Sequence, residues 1–289
     1  MLISLAERFY FVSWLEMRSR SRKKLFILGR GITEIARPVF KILGNDSRGL
    51  IIKDTKLFWR DPGQWTQFVM FFGILGVYFV NIRNFSYNML EPFWKNICAF
   101  LNLSAILLTL GSLSTRFIFP QISMEGNKFW ITGLSPLGLR KMLYVKFWAS
   151  FTMCLFITES LLIISNRMLG ISGFIEVCFV WIVFIMNLAL IGLSMGLGAA
   201  FPDFKSENPA RIVSGFGGTL TLMISVCFIL AAVVFAILPF QLFLKGYIAT
   251  YADLKKDVIF SISLISLAGI AICILTLLYG EKKLRRAEF

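Results

Sequence analysis

The chain contains no histidine, which removes the commonest general base and the commonest transition-metal ligand. Catalysis that depends on His is excluded. Cysteine is sparse and odd in number: Cys98, Cys154, Cys178, Cys227 and Cys273 sit singly in apolar runs with no C-x-x-C pair. Neither a disulfide framework nor a zinc site follows from that spacing. The phosphate-cradling G-x-x-x-x-G-K-[ST] pattern is missing throughout, so this polypeptide is not expected to bind nucleotide, and no cofactor is expected. Charge is thin as well, at 16% of residues, against about 25% in ordinary soluble domains.

What fills the chain instead is apolar. It is 57% hydrophobic with a mean hydropathy of +0.75, more than a water-soluble globule of this size buries. Lipid must be part of the solvent. A helix crossing roughly 30 Å of hydrocarbon takes about 20 mostly apolar residues, and six such runs are present: Trp65–Asn81, Phe93–Thr115, Leu143–Ser165, Phe174–Phe201, Gly217–Phe240 and Val258–Tyr279. Membrane strands would alternate apolar and polar residues over about 10 positions, and runs such as ISVCFILAAVVFAIL do not. The expected fold is an all-α polytopic membrane protein, a six-transmembrane-helix bundle. Its expected parts are a basic interfacial segment over 1–63, a six-span domain over 64–280 and a basic tail over 281–289.

Cytoplasmic flanks carry excess Lys and Arg. With the N-terminus inside, 24 of the 30 basic residues fall on the inner side, so both termini are expected in the cytosol and the chain in the plasma membrane. The net charge of +14 follows this topology, and anionic lipid headgroups account for basic flanks such as Arg18, Arg20, Arg22, Lys23 and Lys24. Nucleic acid is not an expected partner.

Glu7 and Arg8 interrupt the first ten residues, so no cleavable signal peptide is expected. Leu2, Leu5, Phe9, Val12 and Leu15 recur at helical spacing with charges between them, which fits either a helix lying on the membrane surface or an ordinary basic flank. A second interfacial segment, Leu50–Trp59, sets Leu57, Phe58 and Trp59 beside Lys53, Asp54, Lys56 and Arg60. Asp61-Pro62-Gly63 then turns the chain. An in-plane helix, a turn and a span make an elbow.

Between the spans, Arg116–Lys146 breaks the apolar series and is expected on the cytosolic side. It mixes charge with large apolar side chains at Met124, Glu125, Lys128, Phe129 and Trp130, a composition suited to docking on another protein, while Gly133–Lys146 reads as the turn and basic flank of the third span. A second inner loop, FPDFKSENPARIVSGFGG, ends the fourth span at Phe201-Pro202-Asp203 and starts the fifth with glycines at 215, 217 and 218, a hinge or a tight helix start. Inside the spans the one deep charge is Glu159, about one and a half turns from the expected end of its run at Ser165. It is either a substrate-path or proton-coupling carboxylate, or it reaches the interface or pairs with Arg167 or a neighbouring span. Gly192 and Gly196 form a G-x-x-x-G that continues to Gly198, which allows a neighbouring helix to approach closely.

Ile51-Ile52-Lys53-Asp54 ending in Arg60-Asp61-Pro62, six spans, a Glu125-Gly126 element after the second span and Leu134-Ser135-Pro136-Leu137 before the third resemble the membrane subunit of type 2 ATP-binding-cassette exporters. KLFWRDPGQW, FPQISMEGNKFW and FPDFKSENPARIVSGFGGTL resemble the ABC exporter permease branch more narrowly, over roughly residues 47 to 280. The resemblance implies a permease driven by separate cytosolic ATPase subunits. It implies a coupling helix at Ser123, Met124, Glu125, Gly126, Lys128, Phe129 and Trp130, and an elbow helix at Gly49–Arg60 that includes Lys53, Asp54, Trp59 and Arg60, with Asp61 just past it. By position, Asp203, Glu207 and Arg211 belong to the second inner loop. Longer members of the branch carry another set of spans ahead of the matched segment. The expected partners are therefore ATPase subunits, a second permease copy or a homologous permease half, and lipid. A membrane scaffold, an inactive half-length remnant and a membrane-embedded lipid enzyme are the other classes compatible with the composition.

Overall fold

The computed structural model describes residues 45–60, helical positions 64, 66–70, 72, 73 and 76, and residues 92–128, 138–171, 173–206, 208–244 and 250–286. Every regular element among them is helical. The chain forms two compact units, Met1–Phe72 and Gly73–Phe289.

In the first unit, α1 spans Asn45–Arg60. Leu50 is buried while Lys56 and Leu57 are exposed. The Phe58 ring meets Phe68 edge to face, with centroids 5.8 Å apart. The span expected at Trp65–Asn81 falls largely outside the described residues.

Among the described residues, the second unit holds five helices long and apolar enough to cross a membrane. They are α2 (Pro92–Leu113), which runs on through helical turns to Lys128, α3 (Gly138–Leu169), α4 (Phe174–Ala200), α6 (Phe216–Leu244) and α7 (Tyr251–Arg286), with the short α5 (Pro209–Ser214) between α4 and α6. α3 and α7 outrun their apolar runs, because charged turns continue the helix beyond the hydrocarbon. At 36 residues α7 is about 54 Å long.

α4 is central. From Ile185 to Ala200 it is buried on nearly every side, as a helix apolar all round must be. Its G-x-x-x-G faces α7 at backbone distance. A Cβ on Gly192 would lie 2.6 Å from Cys273 Sγ, one on Gly196 would strike the Thr276 carbonyl, and one on Gly280 would strike the Gly196 carbonyl. Gly198 instead lies against the carbonyl of Phe119, so the three glycines serve two neighbours. Near the other end, Phe100 of α2 packs edge to face on Phe179 of α4 and Phe240 of α6, each at 5.2 Å.

The turn after α4 is a tight helix start. Asn208 Oδ1 accepts from Ala210 N at 3.0 Å and Pro209 occupies the first helical turn of α5, the arrangement that satisfies orphan N–H groups at a helix start. Gly218 then packs against the Val213 carbonyl, and Gly217 against the Phe119 ring.

Candidate functional site

The segment after α2 is built to leave the helix in stages. Ser114 Oγ and Thr115 Oγ1 both donate to the Gly111 carbonyl, at 2.9 and 2.8 Å, competing with the backbone ladder. A π turn follows over Ser114–Ile118. Pro120 has no N–H to donate, and tighter 3₁₀ turns carry the chain through Phe119–Gln121 and Ser123–Lys128. Gly126 breaks these at φ 56°, ψ −145°, a conformation essentially restricted to glycine.

This winding turns the segment inward. Ile118, Phe119, Ile122 and Ser123 are buried, and Met124 packs on a cluster of Phe119, Leu193, Leu197 and Ile212. Glu125 Oε1 lies 2.8 Å from Lys146 Nζ on α3, with side chains only 7% and 3% exposed. Lys146 Nζ also reaches the Gln121 carbonyl at 3.4 Å. One turn further along α3, Ser150 Oγ lies within hydrogen-bond distance of both Gln121 side-chain atoms, at 3.1 and 3.2 Å. Gln121 and Glu125, four residues apart, thus face Lys146 and Ser150, also four apart, in two polar rungs.

Ser123 adds a third tie, its Oγ accepting from the Asp203 backbone N at 3.0 Å. That bond joins the turn after α2 to the turn after α4. At the same end, Arg140 of α3 pairs with Glu281 of α7 (Nε–Oε1 3.4 Å), and Glu281 also holds Arg285 at 2.8 Å. This region is the Ser123 end of the bundle.

Several expectations change in detail. Lys146 was expected in a basic flank and is instead a buried ion-pair partner. Nothing in its local pattern named Glu125, but a lysine set in MLYVKFWAS was itself a signal that its charge needed a partner. Glu125 is covered by that pairing, and Met124 faces the core. Lys128 ends the last 3₁₀ turn; its side chain, together with Phe129, Trp130, Asp61 and Glu207, lies outside the described residues, as do the side chains of Trp59 and Arg60. Asp203 and Arg211 are exposed at this end. Lys53 and Asp54 approach each other at 3.8 Å and stay partly solvated, a geometry of little energetic weight.

Mid-bundle, a second polar layer joins α2, α3 and α4, and sequence reasoning missed all of it except Glu159. Ser165 Oγ donates to Asn102 Oδ1 at 2.6 Å, and Asn187 Nδ2 donates to Thr158 Oγ1 at 2.6 Å and to the Val183 carbonyl at 3.2 Å. Beside Thr158, both carboxylate oxygens of Glu159 are buried with no hydrogen-bond partner among the described residues. Glu159 does not pair with Arg167, which pairs with Glu176 at 3.7 Å. Among the described residues no three His, Cys, Asp or Glu side chains group to hold a metal ion.

No curated protein and no solved structure matches the chain. The family model described as "Putative ATP-binding cassette" matches residues 1–289. With the whole length matched and five membrane-length helices in place, the chain belongs to that ATP-binding-cassette-related family.

Proposed function

We propose that this chain is the permease subunit of an ATP-driven exporter of the type 2 class, with hydrolysis performed by a separate cytosolic ATPase. The observation that carries the reading is the buried Glu125–Lys146 bridge, which makes the turn after α2 mechanically continuous with α3. Ser123 extends the connection to Asp203 after α4. A partner pressing on this end would move three spans at once rather than bend one loop, the behaviour expected of a two-state device driven from one side.

In this reading Glu125 is a positioning residue. It braces the Ser123–Trp130 element from behind, while the Lys128–Trp130 end meets the ATPase. The exposed cations Lys141, Lys205, Arg211 and Lys282 gather at the Ser123 end, which supports a cytosolic placement of that end. A five- or six-helix bundle is thin, and a path for substrate is more easily lined by two bundles related by a two-fold axis, from a second copy or a homologous half.

The test is co-purification of the chain with a candidate ATPase from detergent, followed by ATP hydrolysis in lipid vesicles. Wild type is expected to associate and to alter hydrolysis. Lys128→Ala combined with Trp130→Ala is expected to weaken association, and Glu125→Gln to preserve association while uncoupling hydrolysis from transport. Intact association and transport in the Lys128/Trp130 variant would remove the docking assignment. Absence of any ATPase association in wild type would leave a scaffold or remnant role.

A further inference from the structure

We propose that α3 and α7 hold an anionic glycerophospholipid at the Ser123 end of the bundle, with Arg140 and Arg285 gripping its phosphodiester and Trp148 and Trp181 lining the path of its acyl chains. Arg140 Nε lies 3.4 Å, and Arg285 Nη2 2.8 Å, from the same oxygen, Oε1 of Glu281. A shared acceptor thus brings guanidiniums from two helices side by side. Glu281 is nearly covered, whereas Arg140 is 64% and Arg285 56% exposed. Each guanidinium carries five N–H donors, so one contact to Glu281 leaves most of them for an outside acceptor.

The surrounding charge asks for an anion. Residues 138–145 and 280–286 hold Arg140, Lys141, Lys282, Lys283, Arg285 and Arg286 against Glu281 alone, and all six cations are exposed. Their height suits a headgroup. The apolar run of α3 starts at Leu143 and that of α7 ends at Tyr279, so Arg140 and Glu281 stand about 3 to 5 Å beyond the hydrocarbon by helical rise. Arg285 reaches back to Glu281 at the same level. Basic groups between helices in this layer recognise anionic lipid phosphates.

The surface below continues into the membrane. Arg140, Tyr144 and Trp148 follow one another at i+4 on one side of α3. The Arg140 guanidinium stands 5.8 Å from the Tyr144 ring centroid, and Trp148 is exposed. Trp148 meets Phe151 edge to face at 5.6 Å, Phe151 meets Phe184 of α4 at 5.7 Å, and Phe184 stacks on Trp181 at 5.8 Å. Trp181 Nε1 then donates to Ser266 Oγ of α7 at 3.1 Å. This row crosses from α3 over α4 to α7. α4 is buried from Ala189 to Ala200, yet Trp181 is half exposed, so α4 opens to lipid between its two neighbours along the row. Acyl chains cover such a strip, which a soluble anion cannot do. A zwitterionic headgroup would set its own ammonium against the six cations.

The inference stands apart from the exporter reading, since binding requires neither ATP nor an ATPase. The full chain in nonionic detergent would be titrated with phosphatidylglycerol brominated on its acyl chains, following quenching of tryptophan fluorescence. Brominated phosphatidylcholine and chain-free glycerol phosphate are the comparisons. Phosphatidylglycerol is expected to quench saturably, at a half-saturating concentration at least about tenfold below that of phosphatidylcholine. Glycerol phosphate is expected not to displace it. Arg140→Gln combined with Arg285→Gln is expected to raise the half-saturating concentration about tenfold or more, the loss of at least one charge-assisted hydrogen bond. Lys205→Gln combined with Arg211→Gln removes the same charge from the same end and is expected to leave it unchanged. Equal half-saturation for the two lipids in the wild-type protein would overturn the site without any variant having to fold, as would displacement by glycerol phosphate. Equal losses in the two double variants would reduce the effect to bulk attraction, and an unchanged response in the arginine pair would assign those residues to another partner, such as an acidic protein surface. Either result overturns the clamp.

Discussion

Lys146 carries the largest electrostatic consequence of any single residue at the Ser123 end, because it is held beside Glu125 with almost no solvent. Such a pair contributes little net stability, since desolvation offsets the Coulomb gain, but stranding one partner is expensive. Lys146→Met is expected to destabilise the protein by about 3–5 kcal/mol, and Glu125→Leu combined with Lys146→Met to recover most of that loss. Denaturant unfolding in micelles measures both, and a double variant no more stable than the single would contradict the pairing. Gly126→Ala is expected to cost about 1–3 kcal/mol in the same assay. The cause would be backbone strain, since a Cβ there meets only the Phe204 carbonyl at an unstrained 3.9 Å. Local pattern marked Glu125 as unusual, and the family resemblance added Gly126. Neither paired Glu125 with Lys146, 21 positions on, because that contact depends on how the π and 3₁₀ turns rotate the chain.

Among elements, α4 and α7 form the tightest seam, and its chemistry was partly readable. Gly192-x-x-x-Gly196 announced close approach, whereas α7 as the partner and Phe119 as the neighbour of Gly198 were not deducible from α4 alone. Gly196→Val is expected to push α7 away, because the obstruction is the Thr276 backbone and not the end of a flexible side chain. Overpacking of this kind costs about 1–3 kcal/mol or more. Gly198→Val should instead displace Phe119 and loosen the Met124–Glu125 turn, making Lys128 more susceptible to trypsin while leaving the α4–α7 seam intact. Equal trypsin rates in the two variants would show that the glycines do not divide between neighbours. Helix limits were less legible than helix existence: hydropathy tracks the apolar length, and α7 continues through Lys282, Lys283, Arg285 and Arg286 because charged residues at a helix end favour the helix dipole.

For the whole molecule, the asymmetry of charge predicts a sidedness that can be measured directly. In a background without the native cysteines, Lys256→Cys is expected to react with a membrane-impermeant maleimide on intact cells, and Lys205→Cys only after permeabilisation. Both positions are exposed at opposite ends of the bundle, so reversed labelling would invert the topology. By itself the sequence determined the solvent, the helical class, the approximate spans and the expected sidedness, since each depends on composition or local periodicity, which survive without any knowledge of neighbours. Only the tertiary structure decided that Arg116–Lys128 winds into the bundle and that Lys146 is a buried partner of Glu125. It likewise decided that, among the described residues, the Glu159 carboxylate oxygens and Asn187 Oδ1 are buried without a donor. Those outcomes depend on which faces of distant helices meet, and on whether the polar atoms brought together there complement one another.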